Sequence, residues 1–158
     1  MGTWPPEKMR KWVTLYADAG WKEGRARCGW VVRSSLEPSW LRGSQDLACE
    51  NSLVAEYSAV LYGLENVCET YDKVLSPEKL EGVFLRSDCQ GVIFSLQNLN
   101  LLLEDRGALP VLRKIRSFCL EHDLTISAKH VPAHGKEKDS KKRWMNSQAD
   151  RLGNMRGR

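Results

Sequence analysis

From Asn51 to about Tyr71 apolar side chains return at intervals of three and four: Leu53, Tyr57, Val60, Leu61, Leu64, Val67 and Cys68. At 3.6 residues per turn they form one stripe, which predicts an amphipathic helix. A stripe of this kind has to be buried against another layer, and the flanking segments supply one. Lys11 to Asp18 alternates, with Val13, Leu15 and Ala17 on one side and Trp12, Thr14, Tyr16 and Asp18 on the other. That period of two predicts a strand ending at Asp18, and the punctuation around Glu23-Gly24 predicts a hairpin to a second strand, Ala26 to Arg33. A third strand is expected around Trp40 to Cys49. Beyond the helix, Gly82 to Ser87 and Leu124 to Val131 read as strands. Helices are expected from about Cys89 to Leu103, from about Leu109 to Glu121 and from Asn146 to about Asn154, the last after a Gly- and Lys-rich loop from Pro132 to Lys142. Strands, helix, strand, two helices, strand, helix is an α/β order with one sheet covered by helices.

The chain has 158 residues, the size of one domain that can bury a sizeable core. Residues 1–10 are expected to be an N-terminal extension and 11–158 a single domain. No apolar run is long enough to span a bilayer. The first ten residues carry two prolines and charges where a signal peptide needs an apolar centre, so an intracellular setting is expected, cytoplasm or nucleus, or a virion if the chain is viral. Five widely spaced cysteines, Cys28, Cys49, Cys68, Cys89 and Cys119, contain no Cys-x-x-Cys and read as free thiols. The same lack of paired spacing argues against a zinc site built from His130, His134 and a cysteine. Residues 129–158 hold nine Lys/Arg against three Asp/Glu, so +6 of charge is concentrated there, while the remainder carries −2 of a total of +4. A local basic region fits a polyanion such as nucleic acid, or else is a solvated tail.

Four acidic residues stand where function is expected. Asp18 and Asp88 each mark the point where an apolar strand gives way, and sites in α/β sheets gather at the carboxyl ends of strands. If those strands are neighbours, the two carboxylates face each other at about 5 Å, a costly arrangement unless a cation or proton is shared. Glu56 borders the packing face of the long helix, with no Lys or Arg three or four residues to either side. Asp150 lies on the helix leaving the basic loop. Taken singly, each also reads as a turn former, a helix cap or a solvated side chain. Together they form a set of hard oxygen donors for divalent cations.

At these residues the chain resembles the ribonuclease H type 1 family, including the domains attached to reverse transcriptases. The matching pieces are Thr14-Leu-Tyr-Ala-Asp18-Ala-Gly20 leading to Cys28-Gly-Trp-Val-Val32, then Ala55-Glu56-Tyr57-Ser-Ala59-Val-Leu-Tyr-Gly63-Leu64. Ser87-Asp88-Cys-Gln90, Val131-Pro-Ala-His134-Gly135 and Asn146-Ser-Gln-Ala149-Asp150 complete them. They span roughly residues 12 to 153 in the family's order Asp, Glu, Asp, Asp. The resemblance implies a ribonuclease H-like fold, a five-stranded mixed sheet flanked by helices. It implies two Mg²⁺ ions, with Mn²⁺ as a substitute, held by Asp18, Glu56, Asp88 and Asp150, and His134 as a loop histidine assisting proton transfer or product release. The implied activity is hydrolysis of the RNA strand of RNA–DNA hybrids by in-line attack of water, leaving a 3′-hydroxyl and a 5′-phosphate.

Asn51, Ser52, Gln90 and Asn146 are the expected substrate contacts, and Lys141, Lys142 and Arg143 the expected phosphate grip. Many relatives place two Asn just before the helical Glu; here the residues three and four before Glu56 are Leu53 and Ser52. Between Leu103 and Leu109 there is no room for the basic helical protrusion that some members use. The partner expected is an RNA–DNA hybrid, with no membrane, and the chain is expected to be a monomer, attached to or working with a reverse transcriptase or replication machinery. Other nucleases of this fold are the nearest alternative. The first strand lacks the second carboxylate of an exonuclease, and the Glu does not come last as in an integrase. A catalytically inactive nucleic-acid-binding relative is the alternative from another class.

Overall fold

The computed structural model describes residues 12–33, 41–70, 80–99 and 110–132. The first strand, β1 (Trp12–Lys22), alternates as its sequence demands, with Val13, Leu15 and Ala17 buried on one face. It turns at Glu23 (φ 50°) and Gly24 (φ 82°) into β2 (Arg25–Arg33). Two successive left-handed residues match the twist of the paired strands, and Gly24 reaches that conformation without steric cost. The edge strand β3 (Leu41–Ala48) pairs antiparallel with β2. The long helix α1 (Ser52–Thr70) then crosses to β4 (Gly82–Ser87), which lies parallel to β1. After α2 (Gln90–Gln97) and α3 (Pro110–Glu121), β5 (Thr125–His130) adds parallel to β4. The sheet order is β3-β2-β1-β4-β5, a five-stranded mixed sheet flanked by helices, as expected.

Most of the stripe read from the sequence is what α1 buries; Leu53 at its start is exposed and Leu61 half-buried. Tyr57, Val60, Leu64, Val67 and Cys68 join Leu15, Cys28 and Trp30 of the sheet in one core. A buried side chain of this size contributes about 2 kcal/mol by leaving water. Gly63 lets the helix come close, because a Cβ there would stand 2.8 Å from Leu15 Cδ1. Farther along α1, the Trp30 indole donates to Asn66 Oδ1 at 3.0 Å and fixes the helix along the sheet.

Two expectations about boundaries change. The helix after Asp88 breaks at Asn98 (φ −119°, ψ 27°) rather than running unbroken to Leu103. Asn98 turns its own amide group back onto Phe94 O at 2.9 Å, the local competition that makes Asn a poor interior helix residue. The strand that begins at Trp12 continues past Asp18. The end of α3 is closed by Asp123 (φ 51°), with the Leu124 N–H bonded to Cys119 O at 2.8 Å and that of Asp123 to Leu120 O at 3.3 Å. This reciprocal pair satisfies the last carbonyls and aims the chain into β5. All five cysteines are free, as their spacing predicts. Among the described residues no helix is long and apolar enough to cross a membrane. The expected terminal helix from Asn146 lies outside the described residues.

A candidate metal centre at the end of the parallel strands

Asp18 does not end its strand, contrary to the sequence reading. Pairing with β2 carries β1 through Asp18↔Gly29 to Lys22↔Arg25. It is β4 that stops. The parallel register runs from Trp12↔Gly82 to Tyr16↔Arg86, and β4 ends one residue later at Ser87. The next even step of the same register sets Asp18 beside Asp88, just where the ladder opens. Asp18 is therefore held rigidly by β2 while facing a gap left by β4. It is 6% exposed, and its Oδ1 accepts the Ala19 N–H at 2.9 Å.

Several bonds fix the chain around Asp88. The Ser87 hydroxyl accepts the Cys89 N–H at 3.1 Å, and Ser87 O accepts the Val131 N–H at 3.0 Å. His130, paired with Ser87 across β4 and β5, brings Nε2 to 3.2 Å from Asp88 O, a contact in which the ring is the donor. Sequence reasoning considered His130 only as a zinc ligand. Its place beside Asp88 follows from a parallel strand pairing that no local pattern announces.

Glu56 comes from the second turn of α1. Asn51 caps that helix, its Oδ1 accepting the Val54 N–H at 2.9 Å, so one atom of this expected substrate residue is used in helix initiation. Ser52 and Gln90, the first residues of α1 and α2, are exposed. Glu56 is partly exposed, with Oε1 buried. One carboxylate oxygen from each of Asp18, Glu56 and Asp88 lies within 4.8 Å of the others. Among the described residues this is the group of side chains with metal-ligand character, and it contains neither histidine nor cysteine. Asp150, His134, Asn146, Lys141, Lys142 and Arg143 lie outside the described residues.

The neighbouring thiols feel this negative charge. Burial is the main force pushing the Cys89 thiol above its ordinary range, and Glu56 and Asp88 add to it. Cys28 is pushed up to about 12, again first by burial, with Cys49, Glu56 and Asp46 contributing. Neither thiol belongs to the carboxylate cluster. Three carboxylate oxygens gathered within 4.8 Å are hard donors of the kind that could hold a divalent cation.

No family model matches the sequence, and no curated protein does. Solved structures do. The RNase H1 of the halophilic archaeon Halobacterium salinarum is 25% identical with a TM-score of 0.59, over 90% of this chain and 95% of that one. An RNase H1 isolated from compost by a metagenomic approach is 22% identical with a TM-score of 0.64, over 92% of this chain and 94% of that one. The same compost protein has been solved in complex with an RNA/DNA hybrid. The protease–reverse transcriptase of prototype foamy virus is 20% identical with a TM-score of 0.62, over 90% of this chain but 20% of that one.

Proposed function

We propose, from a chain that has the ribonuclease H-like fold, that it is a Mg²⁺-dependent endonuclease hydrolysing the RNA strand of RNA–DNA hybrids. The observation that carries this reading is the convergence of Asp18, Glu56 and Asp88 within 4.8 Å. Local structural duties explain part of it, since Asp18 accepts its neighbour's N–H. They do not explain why a helical glutamate joins an aspartate inside β1 and another just past the end of β4, a repulsive arrangement that bound cations relieve. Bound Mg²⁺ would polarise the phosphodiester and lower the pKa of an attacking water.

The chain's own residues supply the rest. Asp18, fixed in the β1–β2 ladder, Glu56, in the second turn of α1, and Asp88, just ahead of α2, would hold the cation through their carboxylate oxygens. Asp150 completes the set and His134 assists proton transfer or product release, both on the strength of the motif resemblance. Asn51, Ser52, Gln90 and Asn146 contact the hybrid, and Lys141, Lys142 and Arg143 grip its phosphates. With divalent ions held by the carboxylates, the site would support in-line attack of water leaving a 3′-hydroxyl and a 5′-phosphate. The chain acts inside a cell or a virion as a monomer, on hybrids of the kind a reverse transcriptase or replication machinery produces.

Purified protein incubated with labelled RNA–DNA hybrid, duplex DNA and duplex RNA, with and without Mg²⁺, tests this reading. Cleavage of the RNA strand of the hybrid alone, only with metal and lost in Asp88→Asn, is the expected result. Cleavage of duplex DNA instead would make the chain a DNA nuclease of the same fold. Binding that survives EDTA with no cleavage in Mg²⁺ would make it a binding module.

A further inference from the structure

Tyr57, the residue after Glu56, is 3% exposed and belongs to the apolar core, yet its hydroxyl is engaged twice. It lies 2.5 Å from Ser95 Oγ and 3.4 Å from Gly91 O, both on α2. The single phenolic proton can go to the Gly91 carbonyl while Ser95 donates to the phenol oxygen, so both contacts are satisfied together. Ser95 is itself 8% exposed, within a helix whose other buried residues are Val92, Ile93 and Leu96. Near the start of α2, Leu53 of α1 packs over Gly91, where a Cβ would meet Leu53 Cδ1 at 3.6 Å.

Apolar packing brings two helices together without fixing their rotation, because the hydrophobic effect is non-directional. A hydrogen bond fixes direction. The bonded helices are the two that carry the site: Glu56 precedes Tyr57 on α1, and Asp88 stands two residues before the first residue of α2. A rotation of α1 by about 10° would carry an atom about 6 Å from its axis through about 1 Å, enough to spoil ligand geometry for a small cation.

We propose that the Tyr57 hydroxyl, through Ser95 and Gly91, is a positioning device that sets the separation of the Glu56 and Asp88 carboxylates and thereby the affinity for divalent cations. This rests on the metal-site reading. Tyr57→Phe removes the phenolic oxygen and keeps the ring in the core, and Ser95→Ala removes its partner.

Calorimetric titration of Mg²⁺ into the substrate-free proteins is the test. Each single variant is expected to bind Mg²⁺ about three- to tenfold more weakly, below the loss typical of groups bonded directly to a ligand. The double variant should lose no more than Tyr57→Phe alone, because removing the phenolic oxygen already removes both its contact with Ser95 and its contact with Gly91. In hybrid hydrolysis the half-saturating Mg²⁺ concentration should rise by the same factor, with turnover at saturating metal within about twofold of wild type. Circular dichroism and melts in EDTA show whether each variant is folded; if Tyr57→Phe is not, Ser95→Ala decides. Affinity within about twofold of wild type in the folded single variants, or losses that multiply in the double, would overturn the proposal. Failure of wild type itself to bind Mg²⁺ would overturn it together with the metal site, a different result from equal binding by all four proteins.

Discussion

The apo protein should become more stable when Asp18 loses its charge. Asp18 is buried, and its carboxylate lies within 4.8 Å of those of Glu56 and Asp88. Two unit charges at that distance repel by about 3.5 kcal/mol at an effective dielectric constant near 20, and by about 1 kcal/mol where water screens them fully. Asp18 takes part in two such pairs, and Glu56 and Asp88 are partly solvated, so the true relief lies between these limits. Asp18→Asn keeps an oxygen to accept the Ala19 N–H and loses only the charge assistance of that bond, about 1 kcal/mol. The net gain expected is about 2 kcal/mol, or about 4–8 °C in Tm for a domain of this size. In Mg²⁺ at about ten times Kd, mass action should return about 1.4 kcal/mol to wild type and little to the variant. Thermal melts of both proteins in EDTA and in millimolar Mg²⁺ read this directly. A variant that melts lower than wild type in EDTA would mean that Asp18 is a structural acceptor of backbone donors, and the charge argument would have to be withdrawn.

Asp88→Asn should abolish hybrid cleavage and leave hybrid affinity in EDTA within about threefold, since phosphate contacts elsewhere do most of the positioning; a filter-binding titration beside a cleavage assay checks both. Gly63→Ala should cost about 1–2 kcal/mol in urea unfolding despite the better helix propensity of Ala, because the new methyl meets Leu15; an unchanged midpoint would show that α1 can lift off the sheet freely. Cys28 gives a pH dependence. Its thiol is raised in the fold from 9.0 to about 12, so its contribution is intact below pH 9 and is lost as pH rises towards 12, because the unfolded chain ionises first. Urea midpoints of wild type should fall faster above pH 9 than those of Cys28→Ala, by up to about 1.4 kcal/mol per pH unit. Replacing Lys141, Lys142 and Arg143 together by Ala should lower the slope of log affinity against log salt by up to about two to three units, and an unchanged slope would make them bystanders.

The helix that starts after Asn51, the alternation of β1 and the free state of the five thiols were all legible in the sequence. Each is a local property: a repeat of 3.6 or of two reports which side of an element is apolar, and wide cysteine spacing reports the lack of a staple. The ordered motifs also singled out Asp18, Glu56 and Asp88, which the fold brings within 4.8 Å of one another, while Asp150 lies outside the described residues. Local pattern failed at the end of β1, where Asp18 looked like a terminus because the apolar run stops there. Only the ladder to β2 shows the strand continuing, while β4 ends first and leaves the gap. The same holds for His130 beside Asp88 and for the Tyr57 hydroxyl on Ser95. These contacts join residues far apart in the chain, and their existence depends on which strands pair, in what register, and on how two helices are rotated against each other. Sequence periodicity fixes the face a side chain takes on its own element. Which distant side chain it then meets is decided by the summed packing and hydrogen bonding of the whole sheet, and a carboxylate cluster is a property of that sum.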